Sequence, residues 1–165
     1  MGHIGDGIGY EFEVARLLEK KKLHVTTAES CTGGLIAKMI TDIPGASDVY
    51  LGSVVSYANT IKESMLGVES KTLADHGAVS PETAREMVQG IARRFQVSAA
   101  VATTGIAGPD GGTPEKPVGL VYAGIVYHDR CEVFELHLHR SRQQIRDRAA
   151  CEVLNRLRLM ILGKL

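Results

Sequence analysis

Residues 27–40 read TAESCTGGLIAKMI, placing a serine and a cysteine side by side where β-branched sequence gives way to helix-forming sequence. Two further stretches carry residues suited to chemistry. One is YANTIK at 57–62, with a tyrosine and a lysine; the other is TTGIAGPDGGTPEKPVG at 103–119, with five glycines and three prolines. Ser30, ending a strand just before a helix, would point into a crevice. The N–H groups of Thr32, Gly33 and Gly34 would then be first-turn donors for an oxyanion or a phosphate. A plainer role fits the same residues, with Ser30 or Thr32 as a helix N-cap and the glycines giving close packing.

A nucleophilic serine needs a base. Lys62 falls in the first turn of the helix that follows Tyr57. The positive end of that helix and partial burial would both lower its pKa. Without a crevice it would be an ordinary solvated lysine. Tyr57 could relay a proton or hold substrate, or simply pack at the strand end. His76, in ADHGAVS, is the alternative base but lies away from any predicted strand end. Cys31 points away from Ser30 if the strand continues through it, which makes it a core residue; at a helix start it would be reactive. The 103–119 loop carries neither a Walker sequence nor the GxGxxG dinucleotide fingerprint, so it reads as a ligand loop or as mobile surface. Arg142 and Arg146 stand one turn apart and could grip a phosphate together. His137 and His139 share a strand face but lack a third ligand at metal-site spacing.

These residues need elements to position them. Periodicity predicts helices over 10–22, 33–42, 59–66 and 80–95, and from Ser141 to the end, where Gln144 completes a capping box. Asn59 is the predicted N-cap of its helix, and Ser80 with Pro81 opens another. Strands are predicted over 24–30, 49–57 and 98–105, followed by two more joined by a tight HDR hairpin. Helices between the early strands imply parallel pairs, and the hairpin adds an antiparallel strand. The pattern predicts a three-layer α/β/α sandwich with a mixed, mostly parallel sheet of about five strands in one domain. Ligands in such sheets bind beyond the carboxyl ends of the strands, where all three unusual stretches would converge.

Composition narrows the function. Lysine plus arginine equals aspartate plus glutamate, 19 against 19, which gives no broad footprint for nucleic acid. The apolar run LVYAGIVY is too short to span a membrane as a helix, and MGHIGDG lacks the pattern of a secretory signal. Three cysteines without a CxxC pair argue against a disulfide framework or a thiolate zinc site and fit a reducing cytoplasm.

The stretches TAESCTGGLIAKMITDIPGAS, VVSYANTIKESMLGV, LADHGAVS and TTGIAGPDGGTPEKPVGLVY resemble the C-terminal domain of the competence/damage-inducible protein CinA, in that family's order and over roughly residues 10–160. The resemblance implies an amidohydrolase that converts nicotinamide mononucleotide (NMN) to nicotinic acid mononucleotide and ammonia. It implies Ser30 as nucleophile, Lys62 as base and Tyr57 as assisting hydroxyl, with no cofactor and no metal. Substrate contacts are expected from Thr32, Gly33, Gly34, Asn59, Thr104, Gly105, Gly108 and Arg142. An α/β/α fold, a homodimer and a small-molecule nucleotide substrate are likewise implied, with no membrane or nucleic-acid partner. The larger CinA proteins carry an N-terminal nucleotide-processing domain that these 165 residues lack. Arg140-Ser141-Arg142 stands where the family often has Gly-Asp-Arg, and Thr103 or Thr104 replaces a common serine. The rival expectation is a nucleotide- or protein-binding regulatory module in which the serine is inert.

Overall fold

The computed structural model describes residues 9–165, so the MGHIGDG start lies outside the described residues. Helix α1 (Tyr10–Lys21) leads into β1 (Val25–Glu29), which is buried along its whole length, as a central strand of a covered sheet must be. Then follow α2 (Leu35–Thr41), β2 (Tyr50–Val55), α3 (Asn59–Leu66), α4 (Ser70–His76) and α5 (Pro81–Phe95). Strands β3 (Ala99–Gly105), β4 (Leu120–Tyr127) and β5 (Arg130–His137) precede the long closing helix α6 (Arg142–Ile161).

The five strands lie in the order β2-β1-β3-β4-β5. Strand β1 pairs parallel with β2 and β3, while β4 runs antiparallel to both β3 and β5. Four strands therefore run one way and one runs against them, giving the expected mixed sheet. Alternation along the strands feeds two cores. Val25, Val101, Val121 and Ile125 pack against α1, α2 and α6 through Leu18, Ile36, Ile145 and Leu154. Ala28, Ala100 and Ala102 pack instead against α3 and α5 through Leu66, Met87 and Ile91. The result is the three-layer sandwich.

Helix ends follow the sequence signals where those are local. Ser80 accepts from the Thr83 N–H with Pro81 in the first turn, and Ser141 with Gln144 forms the complete capping box. Two predicted boundaries move. Helix α2 starts at Leu35 rather than at residue 33, because Gly33 (φ 59°) and Gly34 (φ 96°) are left-handed and belong to the turn. Asn59 is the first helical residue of α3, and the residue ahead of it, Ala58, makes no side-chain cap. Strand β2 also ends at Val55, which releases Ser56 and Tyr57 into the connection. No helix among the described residues is long and apolar enough to cross a membrane.

The helix that carries Lys62 is seated by a glycine. A methyl group on Gly90 of α5 would stand 1.7 Å from the Leu66 carbonyl oxygen at the end of α3. Alanine is the better helix former by ~1 kcal/mol, but here it cannot be accommodated unless the two helices part. Gly90→Ala is expected to destabilise the fold by about 1–3 kcal/mol, the usual cost of overpacking. Urea unfolding measures it, and equal or greater stability would show that α3 shifts without cost.

Candidate active site

Ser30 is the first residue after β1. Its N–H donates to the Thr103 carbonyl (2.9 Å), and its own carbonyl accepts from the Gly33 N–H (3.0 Å). A tight turn is thereby pinned to β3, with the hydroxyl directed at α3. Lys62 reaches the same point from α3. Only 1% of it is exposed, and its Nζ lies 3.1 Å from Ser30 Oγ, 2.7 Å from the Ser56 carbonyl and 3.4 Å from the Tyr57 carbonyl. Those three acceptors match the three donors of an ammonium group. In the neutral amine one N–H becomes a lone pair, and the Ser30 hydroxyl can turn to donate to it. Burial holds the Lys62 pKa below its ordinary value, because desolvation penalises the charged form. The pair has the geometry of an activated nucleophile.

Cys31 does not compete for the role. It is buried in the core beneath α2 and α6, and burial pushes its thiol up to about 11. Near neutral pH it is an uncharged thiol, and the thiolate is the reactive form. His76 ends α4 on the surface, 3.7 Å from Glu82, and His137 bonds Glu135. Among the described residues no group of three or more His, Cys, Asp or Glu side chains could hold a metal ion.

The Ser30–Lys62 pair opens onto a cavity of about 210 Å³. Of the substrate contacts named from the sequence, Thr104, Gly105 and Arg142 line it and Gly108 does not; Tyr57, Cys31, Ala78, Val79 and Ala107 complete the lining. Tyr57 is 62% exposed, and its hydroxyl accepts from the Arg142 guanidinium at 3.1 Å; that hydroxyl forms no bond to Ser30 or Lys62. The tyrosine thus stands at the mouth, away from the proton path. Arg142 also donates to the Gly108 carbonyl at 2.7 Å, so it straps the 103–119 loop to the β2–α3 connection. Thr104 donates its hydroxyl to the Ala78 carbonyl (2.7 Å), fixing the α4–α5 turn as a further wall. A larger groove of about 530 Å³ between α1 and the α2–β2 connection has lining residues such as Phe12, Ile43 and Pro44, and lacks a nucleophile–base pair.

Several expected substrate contacts serve the protein itself. The Gly33 N–H is taken by the Ser30 carbonyl and the Gly34 N–H by Glu29 at 3.0 Å, so neither is available to an oxyanion. Thr32 is fully buried, its hydroxyl 2.7 Å from both Glu29 and Thr103. The amides left in this turn without an oxygen acceptor among the described residues are those of Cys31 and Thr32. Asn59 lies outside the cavity lining. Arg146 does not join Arg142 in gripping an anion, because it donates to the Cys31 carbonyl (3.2 Å) and the Thr32 carbonyl (2.8 Å).

Glu29 was not singled out by sequence reasoning. It ends β1 fully buried, and its carboxylate accepts from the Thr32 hydroxyl (2.7 Å) and from the N–H groups of Gly34 (3.0 Å), Ile36 (3.1 Å) and Ala37 (2.8 Å). It therefore caps α2 from within a strand, in place of the usual flanking residue. The signal was present as an acidic residue in an otherwise apolar and hydroxylic strand, just ahead of a glycine turn.

Residues 9–161 match the family described as the CinA C-terminal domain. Over 150 residues the chain is 50% identical to a protein of Thermoanaerobacter pseudethanolicus named as competence-damage inducible, covering 91% of this chain and 36% of that protein. A CinA-like protein of Desulforapulum autotrophicum is 53% identical over 120 residues, covering 73% of this chain and 28% of that protein. The chain spans about a third of the length of the curated relatives it matches. Among solved structures, the competence/damage inducible protein CihA of Agrobacterium tumefaciens superimposes with a TM-score of 0.86 at 39% identity, covering 98% of this chain and 99% of that one. A CinA superfamily protein of Klebsiella pneumoniae gives a TM-score of 0.90 at 29% identity, with coverage of 93% and 96%. Sequence, fold and the order of the three motifs agree, and the chain belongs to the CinA C-terminal domain family.

Proposed function

We propose that the chain is an amidohydrolase that converts NMN to nicotinic acid mononucleotide and ammonia, with Ser30 as nucleophile and Lys62 as base. The observation that carries this reading is the 3.1 Å approach of Lys62 Nζ to Ser30 Oγ at a position where the amine is almost wholly buried. Neutral Lys62 takes the Ser30 proton, and Oγ attacks the carboxamide carbon. The turn amides of Cys31 and Thr32 are the nearest candidates to steady the oxyanion. The tetrahedral intermediate collapses as Lys62 returns the proton to the departing ammonia. Water then cleaves the acyl-enzyme, its proton passing through Lys62 back to Ser30. Ala78, Val79 and Ala107 offer small apolar walls to a flat ring, and Arg142 at the mouth offers a cation to the nucleotide phosphate. We place the reaction in the cytoplasm, where the three free thiols would stay reduced.

The relatives' names speak of competence and damage induction rather than of hydrolysis, so a non-catalytic regulatory module is the second reading. Ammonia release from NMN separates the two. Ser30→Ala and Lys62→Ala are each expected to lose activity by at least about 10³-fold, as removal of a nucleophile or its base does, while circular dichroism stays native. Wild-type turnover in either variant would sink the assignment, and chelator treatment is expected to leave the rate unchanged.

The lowered pKa of Lys62 sets two pH dependences. Only the neutral amine can accept a proton, so kcat/KM should rise with pH through the Lys62 pKa, on a limb lying below the ordinary lysine range. Stability carries the matching sign. Between the depressed folded value and the ordinary unfolded value, the unfolded chain binds more protons, so the wild type becomes more stable as pH rises. Lys62→Met lacks this slope. Urea unfolding of both proteins from pH 7 to pH 10 should show the variant's relative stability declining as pH rises; a constant difference would mean that Lys62 titrates normally.

A further inference from the structure

Glu29 does more than cap a helix, because it is joined to Ser30 by the chain and to Lys62 through Ser56. Through the chain it is bonded to Ser30. Its backbone carbonyl accepts from the Ser56 N–H (2.9 Å), and the Ser56 carbonyl in turn holds Lys62 Nζ at 2.7 Å. Its side chain gathers the Thr32 hydroxyl, the turn amide of Gly34 and the α2 amides of Ile36 and Ala37, with the Thr27 hydroxyl at 3.3 Å. One buried residue thus fixes the nucleophile's turn, the helix behind that turn and the carbonyl that anchors the base. The carboxylate faces donors throughout. An amide in its place would turn an N–H₂ group toward them and leave buried donors unpaired.

We infer that Glu29 is a positioning residue for the proposed serine–lysine chemistry, setting the distance and direction of Ser30 Oγ relative to Lys62 Nζ. The inference rests on the amidase reading, since a binding module needs no such alignment. A residue of this kind acts on the chemical step and not on substrate capture. Loosening the Ser56 anchor also lets water reach Lys62, which moves its pKa up toward the ordinary value.

The test uses the full chain with Glu29→Gln and Glu29→Asp. The aspartate keeps the charge and withdraws the oxygens by one methylene group, so it carries the test if the glutamine variant fails to fold. A fluorophosphonate reporter labels Ser30 independently of any amide substrate, and NMN turnover is measured beside it. The expected result for Glu29→Gln is a fall in kcat and labelling rate of about 10²-fold, the scale of loss when a catalytic group is misplaced by an ångström. KM should stay within about threefold, and the acid limb of both pH profiles should move to higher pH. Glu29→Asp should fall in between. Unchanged kcat, labelling and acid limb, with only a lowered melting temperature, would overturn the inference and leave Glu29 as a helix cap. A wild type that labels normally but releases no ammonia from NMN would reject the NMN substrate while the labelling series still decides the role of Glu29. A wild type in which Ser30 resists labelling would overturn the serine–lysine reading and this inference with it.

Discussion

A lysine removed from water is the constraint around which this protein is organised. An amine 1% exposed cannot hold its charge as readily as one in solvent, and among the described residues it forms no ion pair with a carboxylate. Instead it meets two backbone carbonyls and one hydroxyl, acceptors that suit either protonation state. Such an arrangement stabilises the fold less than an apolar side chain would. Under the proposed serine–lysine reading its use is chemical, and the surrounding structure keeps it in place. Strand β2 stops early so that Ser56 and Tyr57 can offer their carbonyls. Helix α3 is pressed onto α5 at a glycine. Strand β1 delivers the hydroxyl from the centre of the sheet.

The turn after β1 shows how one problem is met by a nearby residue and not by substrate. A helix that begins just after Ser30 has unpaired N–H groups in its first turn, and these look from the sequence like a ready anion site. Here the protein fills the site itself, with Glu29 taking three of the amides and Arg146 taking the carbonyls on the other side of the turn. The two left-handed glycines allow the chain to fold around the carboxylate.

Much of this was legible in the sequence, and the division follows the range of the forces involved. The strand–helix order, the Ser80 and Ser141 caps and the apolar stripe of Ile145, Ala149, Val153, Leu157 and Met160 rest on local geometry, and each can be read within a few residues. The convergence of Ser30 and Lys62 follows from parallel strands alone. Three features could not be read that way. The Tyr57–Arg142 bond joins residues 85 apart, and the Arg146 bonds span more than a hundred. Glu29 caps a helix from a strand, against the local rule that favours Ser, Thr, Asp or Asn in the flanking position. Asn59 satisfies that rule by type yet stands one residue too late, because the chain leaves Ser56 and Tyr57 outside the strand. Side-chain bonds across such separations leave no periodicity behind.

The two cores on opposite faces of the sheet have a consequence for how the molecule ages and fails. Cys31, in the serine's turn, packs in the core of α1, α2 and α6, and Leu66, at the end of the lysine's helix, packs in the core of α3 and α5. The two side chains meet, but the segments that carry them are anchored in separate cores. Loosening of either anchor would draw hydroxyl and amine apart while leaving most of the hydrogen-bonded sheet in place. Under the serine–lysine reading, such local loosening would cost the pair its alignment before the sheet itself melts, so retained secondary structure would be a poor guide to whether the pair is intact.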